Sequence, residues 1–444
     1  MIIISRIIIT DKLQRAIITL YLSWWTLWLG ISTFNFYDLF PVSSYVYFLL
    51  ILSVMMFCVG YLFCGMREKH IVDNRISRTF NLSTHSRFLY VALISFSIIL
   101  YYYLKYRSVV QSGISTNNRM ERFVVGHVFS SAKELLFFNY FIEPYIYAAT
   151  IILAYLIIYG KFKNMIFWII VLSVIFYAGI GSGRAPIIDV LIAMVLAFFI
   201  RMCDSKNKNM MENRINKGAV NTRHKKRNII MLILISIVII GYSAWLTAKR
   251  FGLNQFNLGS MEIGLNEFFM ECIIYFTGPF RALEFGIANY PSKIGLLFGR
   301  GTFAGLDEII NLLFQILGIT YNSATGIIGD LLQSNQIEIG SGYFFNFAYT
   351  NVMIHYFDFG VLGVIVFPCL YGFFVRKAVL LYEKRPSLPT LVILGFLFNT
   401  MINSVFKWGL QSPSAWILLI GSFIWYEFEN RAIVKEKALC LPPP

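Results

Sequence analysis

Residues 164–202 have the sequence NMIFWIIVLSVIFYAGIGSGRAPIIDVLIAMVLAFFIRM. Two apolar runs, at 164–181 and 185–202, are separated by the short junction Gly-Ser-Gly-Arg-Ala-Pro. Each run approaches the length of about 20 residues that an α-helix needs to cross a bilayer. This stretch therefore predicts two membrane-spanning helices joined by a tight turn.

The composition of the whole chain supports a membrane location. Of its 444 residues 57% are hydrophobic, and the mean hydropathy is +0.66. Charged residues make up only 14%, compared with about 25% in soluble domains. The formal net charge of +15 comes from basic residues that lie beside apolar segments and not in one basic domain. These residues are therefore interpreted as setting the orientation in the membrane, and no nucleic-acid partner is predicted.

Ten apolar segments can be assigned, so the expected fold is an all-α polytopic membrane protein forming a single integral membrane domain over 1–444. The predicted spans are 15–34, 44–65, 87–104, 135–159, 164–181, 185–202, 228–248, 358–375, 389–407 and 413–429.

Basic residues predict the orientation of these spans. The connections after the second, fourth, sixth and eighth spans are rich in Lys and Arg, and the densest is the basic loop 203–227. Because cytoplasmic loops collect such residues, this loop and both termini are predicted to be cytoplasmic.

Two connections on the opposite side are long, at 105–134 and 249–343. Loops of this length usually carry function. The second contains amphipathic helical pieces, such as Leu306 to Leu317, which are too short to cross the bilayer and are expected to lie along its outer surface.

Arginines in these outer loops are candidates for binding an anionic, membrane-bound ligand. Guanidinium groups suit phosphate and carboxylate oxygens, and the alternative is contact with lipid headgroups. The candidate substrate-binding arginines are Arg119, Arg122, Arg250, Arg281 and Arg300.

Arg184 is the most specific of the candidate catalytic residues. It lies in Gly181-Ser182-Gly183-Arg184-Ala185-Pro186, where free backbone N–H groups, a helix N-terminus and a guanidinium come together. That combination is typical of an anion site. The alternative is a turn in which Arg184 pairs with Asp189.

A second polar constellation runs from Gly342 to Gly363. Within it His355 and Asp358 are candidate catalytic residues, each able to accept a proton from an attacking sugar hydroxyl or to orient it, although Asp358 is equally suited to cap the following helix. Asn346 and Tyr356 are candidate substrate-binding residues. Glu143, inside the fourth span, is a candidate for sugar binding or for structural pairing.

Metal and nucleotide motifs are missing from the sequence, which contains no Asp-x-Asp, His-Glu-x-x-His or Cys-x-x-Cys pattern and no glycine-rich phosphate loop. No metal and no cofactor is therefore predicted. A pyrophosphate leaving group can depart with arginine stabilisation alone.

The chain resembles the Wzy-type oligosaccharide repeat-unit polymerases of bacteria. The resemblance lies in the layout of the spans, in the Gly-Ser-Gly-Arg-Ala-Pro junction and in the stretch Tyr-Phe-Asp-Phe-Gly-x-x-Gly at 356–363. The resemblance covers roughly residues 165–375. It implies a GT-C-like glycosyltransferase in the bacterial cytoplasmic membrane, which joins undecaprenyl-pyrophosphate-linked donor and acceptor oligosaccharides into O-antigen or capsular polysaccharide. It also implies that Arg184 binds pyrophosphate and that the loop arginines hold the donor or the acceptor. A chain-length regulator is a possible further partner that the resemblance leaves open.

Two alternatives remain open at this point. The related O-antigen ligases commonly have a histidine in the large outer loop; residues 249–343 contain none, although His355 lies just beyond. A flippase for the same lipid-linked units would be expected to show paired repeats and broken helices around a midplane site, whereas polarity here is concentrated at one face.

Overall fold

The computed structural model describes most of the chain. The described residues are 9, 11–65, 86–112, 125–180, 185–212, 237, 240, 241, 244, 258–333, 337–345 and 349–439.

Helices dominate the described residues. In chain order they are α1 (Lys12–Ser32), α2 (Ser44–Gly65), α3 (Ser86–Gln111), α4 (Ala132–Phe137), α5 (Glu143–Tyr159), α6 (Met165–Gly179), α7 (Ala185–Glu212), α8 (Leu258–Asn289), α9 (Pro291–Ile294), α10 (Ala304–Ile316), α11 (Ala324–Gln333), α12 (Asn351–Phe359), α13 (Val361–Lys384), α14 (Leu388–Asn403) and α15 (Pro413–Leu439). A π-helical turn at Phe138–Ile142 joins α4 to α5, and short 3-10 turns lie at Phe36–Asp38 and Gly409–Gln411.

Polar residues at the helix ends set several of these boundaries. Asp11 accepts hydrogen bonds from the N–H groups of Leu13 and Gln14 and so caps α1. Asn164 caps α6 in the same way. Gly160 ends α5 with a φ of 68°, a left-handed conformation that glycine adopts at little cost.

Five helical segments in the described part of the chain are long and apolar enough to cross a membrane: Ser44–Phe63, Phe88–Gln111, Ala132–Tyr159, Ala185–Cys203 and Val361–Lys384. Two shorter apolar helices, α6 and α14, add to them. These helices support the all-α membrane class, while the count of ten spans stays a prediction. The seventh predicted span, 228–248, lies almost wholly outside the described residues.

The chain divides into two compact units. The first contains Met1–Glu68, Ser205–Arg376 and Thr400–Gln411, and the second contains Lys69–Asp204, Lys377–Asn399 and Ser412–Pro444.

Close backbone contact between α2 and α13 builds the core of the first unit. A Cβ atom added at Gly60 would lie 1.8 Å from the carbonyl oxygen of Cys369, and one added at Gly372 would lie 2.1 Å from that of Phe57. Only glycine allows two helices to approach this closely.

In the second unit α6 packs against α3 and α5, and α5 also packs against α15. Gly395 of α14 lies where a Cβ would be 2.5 Å from the side chain of Ile151. Apolar burial and small residues at helix contacts therefore organise this unit too.

The large loop predicted at 249–343 contains substantial regular structure. Its longest element is α8, a 32-residue helix with Pro279 inside it. The loop also holds α9, α10, α11 and an antiparallel hairpin of β1 (Ile337–Gly340) and β2 (Tyr343–Phe345). At the other predicted outer loop, 105–134, α3 continues to Gln111 and α4 begins at Ala132, so the loop is shorter at both ends than predicted.

Candidate functional site

The irregular segment 295–303, between α9 and α10, is held against α12 by backbone hydrogen bonds. The N–H of Leu297 donates to the carbonyl oxygen of Phe357 at 2.9 Å, and the N–H of Phe298 donates to that of Asp358 at 3.2 Å. Phe298 has a φ of 52°, which is uncommon for a residue with a side chain, and Gly299 has a φ of 88°. We call residues 295–303 the anchored loop.

The carboxylate of Asp358 fixes the far end of the anchored loop. It accepts hydrogen bonds from the backbone N–H of Gly301 at 2.8 Å and from that of Thr302 at 2.7 Å. The Thr302 hydroxyl donates to the same carboxylate. Asp358 is 0% exposed, so these bonds replace the water that a free carboxylate would need. Its role as a cap for the following helix, considered from sequence, is not what the contacts show.

His355 extends this cluster. Its Nδ1 lies 2.8 Å from the Thr302 hydroxyl, and its Nε2 lies 3.5 Å from the amide nitrogen of Asn351. With Asp358 ionised, the Thr302 proton points to the carboxylate, so His355 must donate from Nδ1 and leave Nε2 as the acceptor. The indole N–H of Trp408 donates to the carbonyl oxygen of Thr302 at 2.7 Å and satisfies that residue's backbone oxygen.

Burial shifts both titratable groups towards their neutral forms. It lowers the pKa of His355 to about 3, so the imidazole is neutral at pH 7. It also raises the pKa of Asp358, against the opposing effect of the hydrogen bonds from Thr302 and Gly301. His355, like Asp358, is 0% exposed. These two of the three predicted catalytic residues are therefore inaccessible to a ligand in this conformation.

The anchored loop reaches well along the spanning helix α13. The ring of Phe303 lies 5.8 Å from that of Phe367, and a Cβ at Gly299 would lie 3.8 Å from the Phe367 ring. Phe367 is six residues beyond Val361, the first residue of α13, which is about 9 Å along a helix axis. The backbone polar groups of this irregular segment need partners in such an apolar setting, and Asp358 and Trp408 provide hydrogen bonds to those of Gly301 and Thr302.

Close helix packing keeps α12 and α13 in register. A Cβ at Gly363 would lie 1.9 Å from the carbonyl oxygen of His355. Glycine at this position therefore brings the first turn of α13 against α12 and fixes the helix that carries His355 and Asp358.

Arg300 projects from the anchored loop and is 35% exposed. Its Nε lies 3.1 Å from Oδ1 of Asp307, and its Nη2 donates to Asp307 and to the carbonyl oxygen of Asn322. Its guanidinium lies 4.8 Å from the ring centre of Tyr321. The bonds to Asp307 outweigh the effect of burial and raise the pKa of Arg300, so it carries a positive charge at all physiological pH values.

Asp307 organises the surroundings of Arg300. Its buried carboxylate accepts hydrogen bonds from Arg300, from the hydroxyl of Tyr321 and from the N–H of Ala324, the first residue of α11. An open cavity of about 500 Å³ adjoins this cluster, lined by Gln315, Gly318, Ile319, Thr320, Tyr321 and Asn322.

Arg281 has a different environment. It is buried, and it donates to the carbonyl oxygens of Phe40, Ser32 and Thr277 and to the side chain of Asn35. Burial lowers its pKa to about 10, which leaves it charged at pH 7. Arg281 therefore ties α8 to the segment that follows α1, and its donors are directed at the protein.

Two further predicted site residues are described. Tyr356 is half-buried and hydrogen-bonds to Tyr45. Glu143 belongs to the second unit, directly after the π-helical turn, and accepts hydrogen bonds from the hydroxyls of Tyr177 at 3.1 Å and Ser414 at 2.9 Å. Bonds from two other helices favour structural pairing for Glu143.

The remaining predicted site residues lie outside the described part of the chain. They are Arg119, Arg122, Arg184, Arg250 and Asn346. Among those described, the structure brings His355 and Asp358 together through Thr302, while Arg281 and Arg300 have separate sets of partners.

Sequence reasoning missed Thr302, Trp408, Asp307 and Tyr321. Asp307 carried a usable signal, because it lies seven residues after Arg300 and is an acidic residue on an amphipathic helix. Thr302 and Trp408 carried none, since their roles depend on contacts across 106 residues of sequence.

No protein-family model, curated protein or solved structure matches the chain. The fold itself places it among the all-α membrane proteins, with several membrane-spanning helices and a polar cluster at the start of one of them.

Proposed function

We propose that the chain is a polysaccharide polymerase of the Wzy type. It transfers a growing glycan from undecaprenyl pyrophosphate to a lipid-linked repeat unit at the outer face of the bacterial cytoplasmic membrane, and the product is O-antigen or capsular polysaccharide. The layout of spans and the motifs at 181–186 and 356–363 support this proposal.

The observation that carries the proposal is the position of Arg300. It is a permanently charged, partly exposed guanidinium beside an open cavity, on a loop anchored against a spanning helix. A pyrophosphate on a membrane-embedded carrier meets the protein at such a boundary, and guanidinium groups bind its oxygens well.

The proposed reaction is a glycosyl transfer. An acceptor sugar hydroxyl attacks the anomeric carbon of the donor, the new glycosidic bond forms, and the bond from that carbon to the pyrophosphate oxygen breaks. Arg300 stabilises the charge on the departing pyrophosphate. A pyrophosphate-binding role for Arg184 is a separate proposal that rests on the motif at 181–186. The hydroxyl proton passes to a base that we leave unassigned.

His355 and Asp358 take a positioning role in this proposal. Both are fully buried, and both act on the anchored loop through Thr302. Holding that loop fixes the backbone of Arg300, and a catalytic group displaced by about 1 Å loses much of its effect.

The test is a gel of surface polysaccharide from cells that lack the gene, complemented with the wild type, Arg300→Ala, Arg184→Ala or the exposed control Lys293→Ala. We expect loss of the ladder with single-repeat material retained in both arginine variants, and a normal ladder for Lys293→Ala. Arg184→Lys and Arg300→Lys should recover only part, because the planar fork is lost.

Other outcomes reject the proposal. Loss of every repeat-bearing species in the deletion strain would indicate a flippase or a ligase. A full ladder in Arg300→Ala and Arg184→Ala cells, with protein levels equal to the wild type, would remove both arginines from the reaction.

A further inference from the structure

Helix α10 has the reverse of the polarity expected for a helix at a water surface. Its buried face carries Asp307 and Asn311. Its opposite face is apolar and exposed, with Ile316 at 73% and Leu313 at 55%. A helix that faces water turns its apolar side inwards, so this arrangement indicates an apolar environment outside α10.

Hydrogen bonds join the main polar side chains of the inward face. Asp307 accepts its three sets of hydrogen bonds from Arg300, Tyr321 and Ala324. Asn311 bonds to Glu308, and Gln315 bonds to Asn311. These contacts hold α10 in its orientation, so the exposed apolar side is part of the fold.

The start of α10 lies beside a spanning helix. Ala304 follows Phe303, whose ring contacts Phe367 about 9 Å along α13 from its first residue. Near the same end of α13, Leu362 is 67% exposed and Phe359 is 39% exposed. The apolar face of α10 therefore begins beside the exposed apolar surface at the start of α13.

A polar recess follows this apolar face directly. Exposed Leu317 and Ile319 lead into the cavity of about 500 Å³ lined by Tyr321 and Asn322. Arg300 contacts both lining residues, and its side chain remains 35% exposed beside them. Part of this charged group is therefore open to a ligand.

We propose that α10 and this cavity form a lipid shelf, defined by residues 304–322 and Arg300, that binds an amphiphile with a phosphate headgroup and a long hydrocarbon tail. The tail lies along Leu313, Ile316 and Leu317, and the headgroup enters the cavity and meets Arg300. The proposal rests on the proposed function for the identity of the natural lipid, whereas the binding is tested without turnover, so the two can fail separately.

The experiment measures binding of four probes to the purified full-length chain in detergent: geranylgeranyl pyrophosphate, inorganic pyrophosphate, geranylgeraniol and phosphatidylglycerol. We expect geranylgeranyl pyrophosphate to bind at least about tenfold more tightly than the two probes that lack the tail or the headgroup, because only it uses both halves of the shelf. Displacement by phosphatidylglycerol at equal concentration would support the shelf and identify an ordinary phospholipid as its occupant.

Variants separate the two halves. Arg300→Gln should weaken geranylgeranyl pyrophosphate and inorganic pyrophosphate alike, by about tenfold. Leu317→Gln should weaken only the probes with a tail. Leu104→Gln, at an exposed apolar position on α3, is the control and should bind every probe like the wild type.

The proposal is overturned if geranylgeranyl pyrophosphate binds no better than inorganic pyrophosphate, or if Arg300→Gln binds it like the wild type. A photoreactive side chain at Leu313 gives an independent check in membranes. Crosslinking to lipid is expected, and crosslinking to a second copy of the chain would show that the apolar face is a protein interface.

Discussion

Replacing Asp358 with asparagine separates a structural role of this carboxylate from a catalytic one. The substitution keeps the size and shape of the side chain, but it replaces one acceptor oxygen with an amide group that donates. In the wild type both oxygens accept, Oδ1 from the N–H of Gly301 and Oδ2 from the N–H and the hydroxyl of Thr302. In either amide orientation the asparagine leaves at least one buried N–H group facing another donor.

The expected loss follows from these bonds. One buried donor without a partner costs about 1–3 kcal/mol, and a hydrogen bond to a charged group contributes about 1.5–3 kcal/mol against about 0.5–1.5 kcal/mol for a neutral one. Together these effects predict that Asp358→Asn lowers the free energy of unfolding by about 3–5 kcal/mol, a large effect for a single substitution.

The assay is thermal unfolding of the purified protein in detergent, followed by size-exclusion chromatography after heating. Asp330→Asn is the matched control, because Asp330 is an exposed aspartate on α11, and it should unfold like the wild type. Trp408→Phe, which removes only the indole donor to Thr302, should lower stability less than Asp358→Asn does. If Asp358→Asn unfolds like the wild type but abolishes polymerisation, Asp358 acts on the substrate and the positioning argument is refuted.

Three further predictions concern other parts of the first unit. Burial lowers the pKa of His355 to about 3, below its unfolded value of 6.5, so the unfolded chain binds a proton first as the pH falls. The contribution of His355 to the free energy of unfolding should therefore be full above pH 6.5. It should fall by about 1.4 kcal/mol per pH unit towards pH 3. His355→Gln should remove that part of the slope in thermal unfolding measured from pH 7 to pH 5. Arg281→Lys should lower stability by about 2–4 kcal/mol in the same assay, since one ammonium cannot replace a fork that reaches four acceptors. Gly372→Ala should yield aggregated protein on size-exclusion chromatography, because its Cβ would lie 2.1 Å from a carbonyl oxygen of α2, whereas Gly421→Ala, with nothing within 4 Å, should elute normally.

The sequence was sufficient to locate most of the long helices in the described residues. Long apolar runs bounded by charges or glycine, such as 44–65 and 164–181, correspond to α2 and α6 within a few residues. Helix α8 was not predicted. Its glutamates, including Glu262 and Glu267, interrupt any apolar run, and Pro279 lies inside it, so a search for continuous apolar segments passes over it.

The site could be predicted only in part. His355 and Asp358 are three residues apart, which places them on one face of a helix, and both belong to the polar stretch 342–363 that the sequence marked as a candidate site. Their partner Thr302 belongs to the loop before α10, and no local pattern connects the two segments. The burial that makes both groups inaccessible also comes from this long-range packing.

Helix α10 shows a second limit of prediction from sequence. Its periodicity predicts an amphipathic helix, but periodicity alone does not decide which face points towards the protein. In water the apolar face would turn inwards. Here Asp307 turns inwards because Arg300 and the start of α11 offer it hydrogen bonds, and the apolar face turns outwards next to a spanning helix.

The described arginines of the predicted outer loop, 249–343, therefore differ in what their charge can do. The donors of Arg281 bond to four acceptors of the protein, including the backbone oxygens of Ser32 and Phe40. An anion at Arg281 would have to displace those bonds and disrupt the fold. Arg300 is held by Asp307, by Tyr321 and by the carbonyl oxygen of Asn322, which orient the guanidinium, yet its side chain stays 35% exposed. Asp358 in turn fixes the loop from which Arg300 projects. Among the described arginines of that loop, Arg300 is thus the one at which an anion can be bound without loss of structure, and the buried carboxylates of Asp307 and Asp358 hold it in place.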